Sequence, residues 1–319
     1  MRKWFAAAAV AALLSLAPPA SAQSPEADIT RKVASFVRDS EEGRTEAALA
    51  LVREAGFSPQ IEQFEGKAGD KPRTGSNITF SFGAGPREIL LVAHYDAVRL
   101  KDGSLVAGVV DNAASAVAMV EAAKLLRGAK LKHRVRVLLT DQEEQGLLGA
   151  RAWIARHGVA QLAGVINADV AAYGESLMYG LNNGAQSAGL VRALREVCAE
   201  RALDSEGYPI YPPSEDRAFS AAGAPVVSIG FQDAVGARQM WLMMNTPNTG
   251  FAEGFRSKVF TTIHTPADTL ALLEPATVAR AATVFADLVQ RIDAGSPDKR
   301  NARRTGARRP PTGGRPPRP

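Results

Sequence analysis

Two histidines and several carboxylates lie in short polar segments that border apolar runs of the chain. His94 and Asp96 directly follow the apolar run 89–93. Because residues two apart on an extended chain point the same way, these two side chains should project together. Asp169 directly follows a second apolar run, 164–168. Imidazole and carboxylate groups without a thiolate suit zinc or a similar divalent ion, so these segments predict a metal site.

Four further candidates come from other segments. Glu143 and Glu144 follow the apolar run 135–139, Asp111 lies just before a predicted helix, and His264 lies in a loop before the last predicted helix. Each alone has an ordinary explanation, such as a solvated acidic pair, a helix N-cap or a surface histidine. Gathered in one place, the carboxylates would repel each other by about 4 kcal/mol per close pair at an effective dielectric constant of about 20. A positive charge is therefore expected among them.

The number of carboxylates favours two cations. Asp111, Glu144 and Asp169 supply three negative charges, and two divalent ions supply four positive charges. Hydroxide or ionised Glu143 would match the difference. Two metal ions about 3.5–4 Å apart are a known arrangement for hydrolysis.

The elements that must position these residues alternate between strands and helices. Residues 60–65 and 76–82 alternate between apolar and polar side chains and suit an antiparallel edge. Four nearly continuous apolar runs predict strands buried on both faces, namely Ile89–Ala93, Val135–Leu139, Gly164–Ala168 and Pro225–Phe231. Helical periodicity appears at 27–38, 45–55, 115–127, 147–157, 187–202 and 275–293. We predict an α/β fold, a three-layer α/β/α sandwich with a central, mostly parallel mixed sheet and with ligands beyond the carboxyl ends of its strands.

Residues 232–262 have no strong periodicity and are predicted to form a long connection. Such connections in compact domains are often functional. The segment could form an apolar wall of a substrate pocket or a loop that covers the core, and the sequence leaves both open. Its large apolar residues include Met240, Trp241, Met243, Met244 and Phe251.

Composition and charge narrow the class of protein. The 319 residues are 46% hydrophobic and 22% charged, which suits one large α/β domain and excludes a disordered chain. The single cysteine, Cys198, excludes an intramolecular disulfide framework and zinc sites built from several thiolates. The net charge is +5, but residues 1–22 carry two positive charges and residues 297–319 a net seven, so residues 23–296 have a net charge of −4. No nucleic-acid partner is indicated.

The two ends of the chain differ from the rest. Residues 1–22 combine a basic start, an apolar run too short to span a bilayer and the small residues Ala20-Ser21-Ala22, which predicts a signal peptide, with an uncleaved anchor as the alternative. We expect a periplasmic or secreted protein without stable membrane insertion. Residues 297–319 are rich in Pro, Gly and Arg and predict a disordered basic tail. Residues 23–296 are predicted to form a single catalytic domain.

With these motifs the chain resembles the M28 family of zinc metallopeptidases, whose best-known members are secreted bacterial aminopeptidases. Five spaced motifs carry the resemblance, which are His94-Tyr95-Asp96, Asp111-Asn112-Ala113, the segment 143–149, Asn167-Ala168-Asp169 and the segment 264–269. The resemblance implies two zinc ions, one held by His94 and Asp169, the other by Glu144 and His264, with Asp111 bridging them.

The resemblance also implies roles for side chains that are not ligands. Glu143 would be the general base that takes a proton from the nucleophilic, metal-bound water, and Asp96 would orient His94. Relatives stabilise the oxyanion with a tyrosine three residues before a Ser-Asp motif. Tyr211 precedes Ser214 by three and is the candidate, with an ordinary loop aromatic as the alternative. The implied activity is an aminopeptidase acting on peptide or protein N-termini, and the implied peptide after Asp111 is cis.

Other functions remain open, because Ser214-Glu215-Asp216 replaces the family's usual Ser-Asp-His. A glutaminyl cyclase shares this fold and the Glu-Glu pair, but tends to use one zinc ion and to lack the motifs around Asp111 and His264. A carboxypeptidase acting on acidic tails would need basic residues in its pocket, which the sequence does not place. A non-catalytic binding protein on this scaffold would usually have lost ligands that this chain retains.

Overall fold

Eight strands form one sheet within residues 24–295, the residues that the computed structural model describes. In chain order the strands are β1 (Gln60–Ala68), β2 (Lys71–Phe82), β3 (Glu88–His94), β4 (Arg134–Thr140), β5 (Leu162–Ala168), β6 (Ser176–Gly180), β7 (Ser205–Tyr208) and β8 (Val226–Gln232). Their order across the sheet is β1-β2-β4-β3-β5-β8-β6-β7. The central strands β4, β3, β5 and β8 run parallel, whereas β1, β2 and β4 pair antiparallel, as do β6 and β8. The predicted mixed, mostly parallel sheet is confirmed.

The α-helices of the same residues flank this sheet. They are α1 (Pro25–Ala34), α2 (Glu41–Glu54), α3 (Ala114–Leu125), α4 (Leu148–His157), α5 (Ala188–Glu200), α6 (Glu215–Ala221), α7 (Ala234–Asn245), α8 (Lys258–Thr262) and α9 (Pro275–Ala294). Six of them, α1 to α5 and α9, match the helices predicted from periodicity. Between residues 24 and 295 no helix has both the length and the apolar character needed to cross a bilayer. The predicted signal peptide 1–22 and tail 297–319 lie outside the described residues.

The central strands are buried on both faces, which explains their unbroken apolar sequences. Along β3, Ile89 and Leu91 point into the larger core, which includes residues of α3 and α9. Leu90 and Val92 point to the opposite face, where they join a second core that contains residues of α4 and α6. Helices therefore cover both faces of the sheet, and the predicted three-layer sandwich is confirmed.

The prediction of a long connection over residues 232–262 is wrong, because this segment contains α7 and α8. Asp233 caps α7, since its carboxylate accepts a hydrogen bond from the backbone N–H of Gly236 at 2.9 Å. The periodicity is weak because the apolar residues of α7 are not confined to its buried face. One of them, Val235, is 65% exposed. The strands β6 and β7 were not predicted either, because they have only five and four residues.

One fully buried arginine ties α2 to the loops at the carboxyl end of the sheet. Arg44 is completely inaccessible to solvent, and desolvation lowers its pKa to about 10, so it is charged at neutral pH. Its guanidinium donates hydrogen bonds to the backbone carbonyl groups of Phe36, Tyr95, Asp96, Ala107 and Gly108. The segments at residues 95–96 and 107–108 are thereby held against each other.

Replacing Arg44 should destabilise the fold strongly. Arg44→Met would leave these buried carbonyl oxygens without donors, and we expect the free energy of unfolding to fall by about 3–5 kcal/mol. Arg53→Met is the matched control on the same helix, because Arg53 is exposed, and it should change that free energy by less than about 0.5 kcal/mol. Urea denaturation measures both. Equal effects of the two substitutions would contradict the role assigned to Arg44.

Candidate metal centre

All five side chains predicted to bind metal meet at the carboxyl end of the sheet. His94 is the last residue of β3, and Asp169 directly follows β5. Glu144 lies in the turn between β4 and α4. Asp111 lies in the irregular turn Val109–Ala113 that leads into α3, and His264 follows α8.

Short distances join these side chains into two groups that share Asp111. One oxygen of Asp111 lies 3.0 Å from Nε2 of His94, and its other oxygen lies 3.0 Å from Nε2 of His264. His94 Nε2 is also 3.9 Å from Asp169 Oδ1, and His264 Nε2 is 3.2 Å from Glu144 Oε2. In each group, one ligand atom per residue lies within 4.8 Å of the others. Asp111 therefore occupies the position that the resemblance implies for a bridging ligand.

This set of donors fits divalent cations. The carboxylate of Asp111 is 7% exposed and His94 is 1% exposed, so these two groups are removed from bulk water, whereas His264 is exposed. Oε1 of Glu144 is buried and has no hydrogen-bond partner among the described residues. A buried carboxylate oxygen without a partner is costly unless a cation lies beside it. Two imidazoles and three carboxylates, with no thiolate, suit zinc.

The pKa values of the site reflect the crowding of buried acidic groups. Burial raises the pKa of Asp169 and of Glu144, and the nearby charge of Asp111 acts in the same direction. Burial also disfavours the charge of Asp111, but hydrogen bonds from His264 and His94 hold its pKa below the usual value. The hydrogen bond to Asp111 is the main reason why the pKa of His264 rises to about 10. In the metal-free protein, protons on groups such as His264 and Asp169 thus reduce the negative charge of the cluster.

Glu143 lies beside this cluster but belongs to neither ligand group. Burial raises the pKa of its carboxyl group, and the charges of Glu215 and Asp169 raise it further. The residue lines a cavity that also contains Asp111, Glu144 and Asp169. It is therefore placed to exchange a proton with a molecule in that cavity.

Asp96 holds the turn that carries Glu143 and Glu144. Its two carboxylate oxygens accept hydrogen bonds from the backbone N–H groups of Glu143 at 3.1 Å and Glu144 at 3.2 Å. Its Oδ1 lies 3.4 Å from Nδ1 of His94, on the side expected for a group that orients this ring. Asp96 thus connects β3 to the turn after β4.

Asp268 has a matching role that the sequence analysis did not assign. Its carboxylate accepts hydrogen bonds from three successive backbone N–H groups, those of Val109 at 2.9 Å, Val110 at 2.7 Å and Asp111 at 3.1 Å. Asp268 lies in the same motif as His264, and this closeness is the one signal in the sequence for its role. The peptide between Asp111 and Asn112 is cis, as the resemblance implies.

Glu215 is a second residue whose role was missed. Its carboxyl group is completely buried and accepts hydrogen bonds from Oγ of Ser214, at 2.6 Å, and from Oγ1 of Thr140. Thr140 ends β4 and pairs with His94 in the sheet. Glu215 therefore places a buried acidic group behind Glu143 and Asp169, where the family pattern has the aspartate of Ser-Asp-His.

Unusual backbone conformations concentrate around the ligands. Five non-glycine residues of the described chain have positive φ angles, and four of them adjoin the site. Gln142 (φ 58°) and Leu147 (φ 63°) flank the turn with Glu143 and Glu144, Val170 (φ 60°) follows Asp169, and His264 itself has φ 60°. This region of backbone space is uncommon for residues other than glycine, and most of all for a β-branched residue such as Val170.

The cavity in front of the cluster has a volume of about 370 Å³ and a partly apolar wall. Met240 of α7 and Val259, Phe260 and Ile263, in and just after α8, form this wall. Trp241 packs against the same apolar core but is not among the lining residues of the cavity, and its indole Nε1 donates to the carbonyl oxygen of Gly207 at 3.3 Å. The pocket-wall hypothesis for residues 232–262 thus applies to Met240 but not to Trp241.

Tyr211 lines the same cavity and belongs to the same apolar core as Met240 and Val259. Its ring packs edge-on against Tyr208 with 5.4 Å between the ring centroids. Burial, and the nearby charge of Asp169, raise the pKa of its hydroxyl group well above the usual value. The hydroxyl therefore stays protonated and can donate a hydrogen bond.

Sequence comparisons relate the chain to a peptidase family and to one curated protein. The sequence profile of peptidase family M28 matches residues 77–289. The curated alkaline phosphatase isozyme conversion protein of Escherichia coli (strain K12) is 28% identical over 173 residues, which are 47% of this chain and 49% of that protein. The chain thus spans about half the length of this relative.

Structural comparisons agree on the fold. The zinc aminopeptidase BSAP from Bacillus subtilis is similar with a TM-score of 0.63 and 14% identity, over 84% of this chain and 93% of that chain. The glutaminyl cyclase from Porphyromonas gingivalis is similar with a TM-score of 0.62 and 18% identity, over 85% of this chain and 97% of that chain. At these identities the similarity establishes the zinc-exopeptidase fold alone.

Metal binding at this centre should release protons at pH 7. His264, with a pKa of about 10, is protonated at that pH in the metal-free protein, whereas an imidazole must be neutral to bind a metal ion. In isothermal titration calorimetry, the zinc-binding enthalpy should therefore vary with the ionisation enthalpy of the buffer, with a slope of about one proton or more.

The control for this measurement is His157→Gln. Nε2 of His157 pairs with Glu62 at 2.9 Å at the end of α4, so the substitution should leave the proton release unchanged. A zinc-binding enthalpy that is the same in all buffers would contradict the protonated state of the metal-free centre.

Proposed function

Because this chain belongs to peptidase family M28, we propose that it is a di-zinc aminopeptidase that removes N-terminal residues from peptides or proteins. A zinc-dependent peptidase is the function of the family, whereas the number of ions and the aminopeptidase activity are our proposal. The observation that carries it is the pair of ligand groups that share Asp111, with Glu143 beside both at a cavity. Two overlapping groups suit two ions better than one.

Two zinc ions would be held by these two groups. His94 and Asp169 would bind one ion, Glu144 and His264 would bind the other, and Asp111 would give one oxygen to each. When bound, zinc acts as a Lewis acid that polarises the scissile carbonyl group and brings the pKa of water towards neutrality.

Glu143 is proposed as the general base. A carboxylate that lines the cavity and is not a ligand can accept the proton of the attacking water and donate it to the leaving amine. Burial favours the protonated form of Glu143 in the metal-free protein, and zinc bound beside it would favour the carboxylate form that accepts a proton. Asp96 keeps Glu143 in place through the turn it holds.

Tyr211 is proposed to donate a hydrogen bond to the oxyanion of the transition state. Its protonated hydroxyl, its position at the cavity and its packing against Tyr208 support this role. A donor whose ring is held by packing is already oriented when negative charge develops, which is the basis of oxyanion stabilisation.

Glutaminyl cyclisation is the second candidate. The similarity to the Porphyromonas gingivalis glutaminyl cyclase over 97% of that chain favours it. A cyclase moves a proton from the N-terminal amine of its substrate to the departing ammonia, so it would use the same acidic side chain without attack by water. A non-catalytic binding protein is less well supported, because the ligands and Glu143 are all present.

We further propose that the protein acts outside the cytoplasm, in the periplasm or in the medium. The basic and apolar sequence of residues 1–22, with its Ala20-Ser21-Ala22 segment, supports export by a signal peptide. Residues 23–296 would then form the catalytic domain.

Substitution of Glu143 should abolish turnover without loss of metal. For Glu143→Gln we expect kcat to fall by about 10²–10⁴-fold, because the base is lost while its shape is kept. The zinc content, measured by atomic emission, should stay at the wild-type value. Glu253→Gln, at an exposed position, is the control and should retain full activity. Loss of zinc together with loss of activity would instead make Glu143 a ligand.

The two candidate activities differ in product. With leucine p-nitroanilide as substrate, we expect the wild-type protein to release p-nitroaniline, and a chelator should abolish this release. Pyroglutamyl formation from a glutaminyl peptide, in the absence of hydrolysis, would favour the cyclase. Bound zinc without either product would contradict both activities.

Tyr211→Phe should affect the transition state and leave substrate binding intact. The phenyl ring keeps the packing against Tyr208, so only the hydroxyl group is lost. We expect kcat to fall by about 10²–10³-fold with little change in KM, as for loss of one oxyanion donor. An unchanged kcat in steady-state kinetics would show that the hydroxyl does not contact the reacting carbonyl.

A further inference from the structure

One positively charged side chain at the substrate cavity has no role in the proposed reaction. The acidic lining residues, Asp111, Glu143, Glu144 and Asp169, all belong to the metal centre. Apart from the candidate ligand His264, the basic residue among the described lining residues is Arg256, which lies two residues before the start of α8. The sequence alone places no basic residue in this pocket.

Arg256 is exposed and forms no ion pair with any residue between 24 and 295. Its neighbour Lys258 differs in this respect. Nζ of Lys258 lies 3.5 Å from Asp233 Oδ2 and 4.2 Å from the centre of the Tyr173 ring, so its charge is already compensated within the fold. The guanidinium of Arg256 is thus available to a molecule that enters the cavity.

The surroundings of Arg256 favour an anionic partner. Phe260 and Val259 of α8 and Met240 of α7 present apolar surface to the same cavity, which excludes part of the water around a bound group. An ion pair is stronger where water is partly excluded. The planar guanidinium group matches a carboxylate with two parallel hydrogen bonds, which a lysine cannot reproduce.

We propose that Arg256 binds a carboxylate of the substrate and makes the enzyme selective for short or acidic peptides. The proposal rests on the aminopeptidase function proposed above. A carboxylate can come close to the scissile bond from two sources, the free carboxyl terminus of a dipeptide or an acidic side chain next to that bond. Both present the same group to Arg256, and they can be separated by choice of substrate.

Three substrates test this proposal with the zinc-loaded, full-length protein. Leu-Ala carries a terminal carboxylate, Glu-Ala-amide carries a side-chain carboxylate, and Leu-Ala-amide carries neither. Arg256→Gln should lower kcat/KM for Leu-Ala, for Glu-Ala-amide or for both by about 10- to 100-fold, the cost of a lost charged hydrogen bond. It should change kcat/KM for Leu-Ala-amide by less than about twofold. Which of the two carboxylate substrates responds identifies the source.

Two further variants make the test specific. Arg256→Lys should restore only part of the lost activity, because lysine keeps the charge but not the planar pair of donors. Lys258→Gln is the matched control, since it removes a positive charge two residues away whose partner is Asp233, and it should leave all three substrates unchanged.

The possible results separate this proposal from the proposed function. If Arg256→Gln changes all three substrates equally, or none of them, Arg256 does not recognise a carboxylate, although the aminopeptidase function stands. The same conclusion follows if the wild-type protein cleaves Leu-Ala-amide but neither carboxylate substrate. If the wild-type protein cleaves none of the three, the aminopeptidase function itself is overturned, and the role of Arg256 with it.

Discussion

The structure depends on compensating the mutual repulsion of acidic groups that the fold brings together largely away from water. Asp111, Glu144 and Asp169 arrive from three different segments, and their charges can coexist only if positive charge lies among them. In the metal-free protein, protons on the imidazoles and raised pKa values of the carboxyl groups reduce the net charge. Divalent ions would also reduce the net charge, and they would leave the carboxylate oxygen atoms unprotonated. Folding and metal affinity are thus two aspects of one electrostatic requirement.

The positions of the ligands are set mainly through the backbone. Asp96 and Asp268 each accept hydrogen bonds from successive N–H groups of a turn that carries a ligand. Arg44 does the complementary task, because it donates to carbonyl groups of the segments that contain Asp96 and precede Asp111. Carboxylates that accept from N–H groups and a guanidinium that donates to carbonyl groups supply hydrogen bonds to backbone groups of these loops. These groups have no partners in a sheet or helix. The ligand turns are therefore fixed even though they are irregular.

The sequence predicts the meeting of the five candidate ligands for a physical reason. Strands buried on both faces must be continuously apolar, so a histidine or an aspartate directly after such a run stands out and is located at the carboxyl end of the sheet. Arg44 gives no such signal, since a charged residue in a helix is usually solvated and only the packed structure makes it inaccessible. The same holds for Glu215 and Asp268, which accept hydrogen bonds from Thr140 and Val109, far away along the chain. The helices α7 and α8 at the cavity were not predicted, because α7 also exposes apolar residues, which weakens its helical periodicity.

The four positive φ angles around the ligands have an evolutionary consequence. Each such conformation costs on the order of 1 kcal/mol for a residue with a side chain, and glycine would relieve that cost. Selection for stability alone would thus favour glycine at positions such as Val170 and Leu147. Val170 is nevertheless held in this conformation, because its N–H donates to Asn112 Oδ1 and its carbonyl oxygen accepts from the N–H of Phe231.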